Sequence, residues 1–210
     1  MRYYFVLPAL LFLFACGNAD KPAETADTGK HTTKDSMKDA LADMPPPSEA
    51  KQFEWFYSLF VKGMMTDSIF QKFIHPENGV YMIESNGAMP QMKNVTDISD
   101  FTTAQGKPFF TISRDDLICE LKDEELPKVD CDSKDFYSKS GCFTREENTF
   151  KEEKTWQYCH LTPDEEKKVT KMAAGITRVV INTKNYRYYF SLINGSWYIS
   201  FIDMRKPCQA

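Results

Sequence analysis

The side chains able to do chemistry in this chain are few, and their spacing is unhelpful to most reactions. It has six cysteines and three histidines. Cys119, Cys131, Cys142, Cys159 and Cys208 fall in the second half, with no C-x-x-C and no H-x-x-x-H anywhere. A zinc site needs ligand pairs held that close, so no metal and no cofactor are expected. In an oxidising compartment such thiols pair, and five can make two bonds and leave one over; the spacing does not choose among the pairings. Asp130 and Asp132 imitate the first ligands of a calcium loop, but Asp135 stands where glycine is required and Gly141 where a bidentate glutamate is required. A solvated turn is the expectation there. Cys159-His160 places a nucleophile next to a base, yet adjacent side chains point apart, and a catalytic pair must meet in space. His75, before Pro76, stands where an imidazole commonly serves a helix end.

These residues must be positioned by elements that the apolar pattern reveals. Phe53, Phe56, Tyr57, Phe60, Val61 and Met64 recur at helical spacing and predict one buried stripe. A second helix is predicted from Thr66-Asp67 through Ile69, Phe70, Phe73 and Ile74, stopped by His75-Pro76. Gly79 to Ile83 reads as a strand closed by Asn86-Gly87. Thr162-Pro163-Asp164-Glu165 combines a capping threonine, a proline at the first helical position and a glutamate three residues after the cap, so a helix begins there and ends at Gly175. Residues 177–182 are β-branched and strand-like. Residues 111–160, with an acidic segment at 120–127, show no clear periodicity.

Asn194-Gly195 between two alternating runs is a strong hairpin signal. A two-residue loop would set Leu192 opposite Trp197, Phe190 opposite Ile199, Tyr188 opposite Phe201 and Tyr186 opposite Asp203. One face is then almost wholly apolar. The other, with Tyr189 and Tyr198, is expected to be wetter, and those tyrosines become candidate surface contacts. Asp203 beside Tyr186 becomes the polar group of a candidate pocket between helices and sheet.

At the other end, Tyr3 to Ala15 is apolar behind a single Arg2. As a helix it reaches only about 20 Å, short of the roughly 30 Å hydrocarbon core, so it reads as a cleavable export signal over residues 1–15. Leu13-Phe14-Ala15-Cys16 resembles the lipobox of bacterial lipoproteins. The resemblance implies cleavage before Cys16, lipid on its sulfur and membrane attachment through the acyl chains, with Gly17 compatible with transfer to an outer membrane. Residues 16–48, rich in Lys, Thr, Asp and Pro, cannot bury enough surface to fold and read as a tether with a span of roughly 30 Å. Residues 49–210 are one domain's length.

The net charge of −4, without a block of Lys or Arg, argues against nucleic acid as partner. Helices, one early strand and a three-stranded antiparallel end predict an α+β domain with an N-terminal helical pair packed on one face of a curved antiparallel sheet. The order is similar to the NTF2-like (SnoaL-like) cone. The segment His75 to Tyr81, with Ile202-Asp203 and Pro207-Cys208-Gln209-Ala210, also resembles short bacterial lipoproteins of no assigned activity. The expected function is a lipid-anchored, non-catalytic binding or scaffolding domain for an envelope protein or glycan. The alternative is a small-ligand or acid–base pocket of NTF2-like type.

Overall fold

Ser48 caps the first helix by accepting a hydrogen bond from the Lys51 backbone, and the computed structural model describes residues 48–85, 89–111, 114–134 and 136–208. The expected signal, Cys16, the tether up to residue 47, the Asn86-Gly87 turn and Asp135 lie outside the described residues. Helix α1 (Glu49–Gly63) buries Phe53, Tyr57 and Phe60, the predicted stripe. The second helix is shorter than its spacing predicts. Here α2 (Asp67–Phe70) runs straight into a 3-10 turn (Gln71–Phe73), and Ile74 is already extended and bridged to Ile199.

Among the described residues seven strands form one sheet: β1 (Val80–Ser85), β2 (Pro90–Val95), β3 (Leu121–Asp123), β4 (Cys142–Arg145), β5 (Arg178–Asn182), β6 (Arg187–Ile193) and β7 (Ser196–Asp203), in the order β2-β1-β7-β6-β5-β4-β3. The short helices α3 (Arg114–Leu117) and α4 (Thr149–Glu153) and the longer α5 (Pro163–Ala174) occupy the connections. The sheet is mixed rather than antiparallel, because β1 lies parallel to β7 and β3 parallel to β4. Val80 to Ile83 are all buried, so β1 needs cover on both faces and takes a central place, where β7 is its neighbour.

Helices cover both faces, not one as expected. Val80, Met82, Val180, Tyr188, Phe190 and Ile202 pack with the α1 stripe. Tyr81, Ile83, Val179, Tyr189 and Phe201, the residues of opposite parity, pack with Phe150, Trp156, Val169 and Ala173 from α4, α5 and the turn between them. The irregular centre of the sequence supplies part of this second layer, through Phe150 and Trp156. It also carries the disulfides: Cys119 bonds Cys142, with Cα atoms 5.8 Å apart, and Cys131 bonds Cys208, at 5.7 Å. Cys159 is the thiol left over.

The cap of α5 forms as its residues predict. Thr162 Oγ1 accepts from Glu165 N, and Glu165 Oε2 accepts in turn from Thr162 N at 2.8 Å. Replacing Thr162 by alanine is expected to cost about 1 kcal/mol in chemical denaturation, since it orphans a helix-end donor. A loss below a few tenths would show the cap to be idle.

Candidate functional site

The hairpin turn forms as predicted, with Asn194 and Gly195 both in the left-handed region at φ of 50° and 79°. Leu192 faces Trp197 and Phe190 faces Ile199. Beyond that the register shifts: Tyr189 faces Phe201, Tyr188 faces Ile202 and Arg187 faces Asp203, leaving Ser200 as the extra residue of a β-bulge. One inserted residue reverses the facing of everything after it. Ile202 thereby joins the core under α1, and Phe201 stacks on Tyr81 with ring centres 5.4 Å apart on the other face. Without the bulge, Asp203 would share a face with Tyr188 and Phe190 and point into hydrocarbon.

The predicted Tyr186–Asp203 pair is therefore not formed. Tyr186 packs on the helix side against Phe109 and Tyr188, where burial, then the nearby Glu84 charge, push its phenol up. The space between α1 and the sheet, where a pocket was expected, is filled by rings: Phe53 lies 5.3 Å from Phe190 and 4.9 Å from Trp197. Tyr189 is wholly buried, 5.0 Å from Phe150, so it offers no surface contact. Tyr198 is half-buried against His75.

Asp203 sits on the opposite side, fully buried, between two arginines. Arg187 Nη2 donates to its Oδ2. Arg205 donates from its backbone N (3.1 Å) and Nε (2.8 Å) to Oδ1 and from Nη2 (2.7 Å) to Oδ2. Burial alone would raise this carboxyl, but Arg187 and Arg205 outweigh it and hold the acid below its ordinary value. Its lone pairs are taken and its proton is gone. Such a carboxylate is a poor general base and a good scaffold for arginines.

The outer sides of those arginines line a cavity of about 470 Å³. Arg187 Nη1 reaches back to Glu153, at 3.0 and 3.2 Å from its two oxygens, and Arg205 Nη2 donates to Thr155 Oγ1 at 3.4 Å. Lys154, in the left-handed conformation at φ 49°, turns the chain between α4 and the next turn so that Glu153 and Thr155 both border the cavity. Tyr158, Lys206, Pro207 and Cys208 complete its rim, so the Cys131–Cys208 bond fastens one wall. Arg187, Arg205 and Glu153 were not singled out by sequence reasoning. The signal available was the Asp-x-Arg of 203–205 and the Arg one residue beyond Tyr186, legible only once the bulge is known.

The remaining candidates resolve into structure. Asp130 Oδ1 accepts from Asp132 N, and Ser133 Oγ donates to the Asp130 carbonyl, a hydrogen-bonded turn. His75 serves its turn by accepting from Glu77 N and Asn78 N at Nδ1, not by facing the end of a helix. Cys159 donates to the Thr155 carbonyl at 3.7 Å, and burial, partly offset by Arg205, pushes its thiol up. Among the described residues no group of three or more His, Cys, Asp or Glu side chains is arranged to hold a metal. A second groove, about 560 Å³ between α5 and the hairpin tip, carries Lys168 and Lys171 with Asn78 and Asn94, but none of its lining residues is a buried charge.

A further guanidinium, the fully buried Arg178 on β5, pairs with Asp123 at 3.0 Å and with Glu146, and lies 4.9 Å from the Phe53 ring. It joins β3 to the sheet beneath α1.

Comparison with known proteins finds no matching family model, no matching curated sequence and no matching solved structure. What fold and site define is a class: a disulfide-stapled α+β domain with a cationic pocket built on a buried carboxylate. Two disulfides fit an oxidising, extracytoplasmic compartment. No helix among the described residues is long and apolar enough to cross a membrane.

Proposed function

We propose that the chain is a lipid-anchored lipoprotein of the bacterial cell envelope whose domain binds a partner without transforming it. In this reading Cys16 carries the lipid, residues 16–48 are the tether, and the outer membrane is the destination. The observation that supports a non-catalytic domain is the saturation of Asp203: the buried carboxylate behind the cavity is engaged by four donors from two arginines. The NTF2-like likeness enters only as architecture. The antiparallel run β4 to β7 under α1 supports it, while the parallel pairings β1–β7 and β3–β4 and the covered second face depart from it.

The test is a Cys16→Ser substitution in the full chain expressed in a bacterium. The variant is expected to lose radiolabelled fatty acid and to leave the membrane fraction. Crosslinking the anchored form in cells should then recover a partner that depends on the anchor. Unchanged fractionation of the serine form would overturn the reading.

A further inference from the structure

The Arg187–Arg205 cavity has the parts of a ligand site that the reading above leaves unassigned. A carboxylate sealed beneath it, Asp203, orients both guanidinium groups, so the positive charge is pre-positioned rather than free to collapse onto solvent. Lys206 adds a third cation at the rim. Facing these three cations are Asp203, which is committed from below, and Glu153, whose side chain is 40% exposed and caps Arg187 from the cavity side. Glu153 thus occupies the position an incoming carboxylate would take. The fork of a guanidinium matches a carboxylate with two parallel hydrogen bonds. Beside it stands Tyr158, 63% exposed. The volume falls within the range of about 300–1,000 Å³ usual for small-ligand sites.

We propose that this cavity binds a carboxylated sugar, its carboxylate displacing Glu153 from Arg187 and its ring lying on Tyr158. The assignment rests on the reading of the domain as a binding module and names the ligand class of that module. An exposed aromatic ring next to a cation pair favours a ring-bearing anion over a bare one, since the ring supplies an apolar face that phosphate or acetate cannot use. Glu153 makes the site self-competing: ligand must outbid an internal carboxylate of the same chemistry.

The experiment titrates the purified domain-bearing chain with D-glucuronate, and separately with glucose, acetate and inorganic phosphate, by calorimetry and by NMR. Glucuronate is expected to bind, more weakly as salt rises, and glucose not to. Glu153→Gln should tighten glucuronate about two- to fivefold, because it removes the competing ion pair. Lys206→Ala should weaken it, and Tyr158→Ala should abolish the preference for glucuronate over acetate. All three replaced side chains are exposed, so unchanged melting temperatures will certify folded variants. Glucuronate no tighter than glucose, acetate or phosphate equal to glucuronate, or a Glu153→Gln form with unaltered affinity would each overturn the assignment. If any of these is seen while Cys16→Ser still leaves the membrane, the sugar site fails and the tethered-module reading stands.

Discussion

Replacing Asp203 by asparagine is expected to cost about 3–5 kcal/mol of folding stability at neutral pH, because it leaves Arg187 and Arg205 packed together around a neutral side chain. In a domain of this size the melting temperature should fall on the order of 10 °C. The effect carries a pH signature. The folded carboxyl lies below its ordinary value, which is about 3.9 in an unfolded chain. Its contribution is therefore complete above the unfolded value and is lost as pH falls through the folded one. Urea denaturation of both proteins at pH 7 and pH 3 should show the gap between them narrowing in acid. A gap that widens in acid, or no gap at pH 7, would mean that the arginines do not depend on Asp203.

The second large effect concerns the disulfides. Cys131 and Cys208 close a loop of sequence separation 77, Cys119 and Cys142 one of 23. Loop-closure entropy puts their contributions at about 4.5 and about 3.4 kcal/mol respectively. The Cys131→Ala/Cys208→Ala double variant is expected to be the less stable of the two pair-deletion variants in guanidinium titrations. It should also lose glucuronate affinity, because the freed tail carries Arg205 and Lys206 to the cavity. The Cys119→Ala/Cys142→Ala variant should keep that affinity while folded. The reverse order of stability, or binding lost from the second variant alone, would show that the tail is not held by its bond.

Elements whose signals are local are legible in the amino-acid sequence alone. The α1 stripe, the Thr162 capping box and the Asn194-Gly195 turn each depend on residues within one or two turns of chain, and each stands where its residues put it. The apolar spacing around Ile69 and Phe73 promised more helix than forms, because the Ile74–Ile199 bridge draws the chain into extended backbone ahead of Pro76. Strands β2, β3 and β4 gave no sequence signal. β2 and β3 are edge strands with little burial, and β4 is four residues long and buried on both faces, so alternation never accumulates.

Little of the candidate site was legible. Alternation puts Asp203 beside Tyr186 on the helix side, whereas it lies on the opposite face of the sheet, opposite Arg187. Alternation misjudged the hairpin since both of its faces are buried, Tyr188 on one and Tyr189 on the other, and a pattern apolar on both sides cannot reveal a shifted register. Local chemistry in the chain, which acts over a few residues, was enough to set its two longer helices, the Thr162 cap, its hairpin turn and an odd thiol among five. The bulge at Ser200, the parallel placing of β1 beside β7, the choice of cysteine partners and the meeting of Asp203 with Arg187 depend on contacts far apart in sequence. They are settled where packing on both sheet faces and the cost of burying a lone charge must be satisfied together.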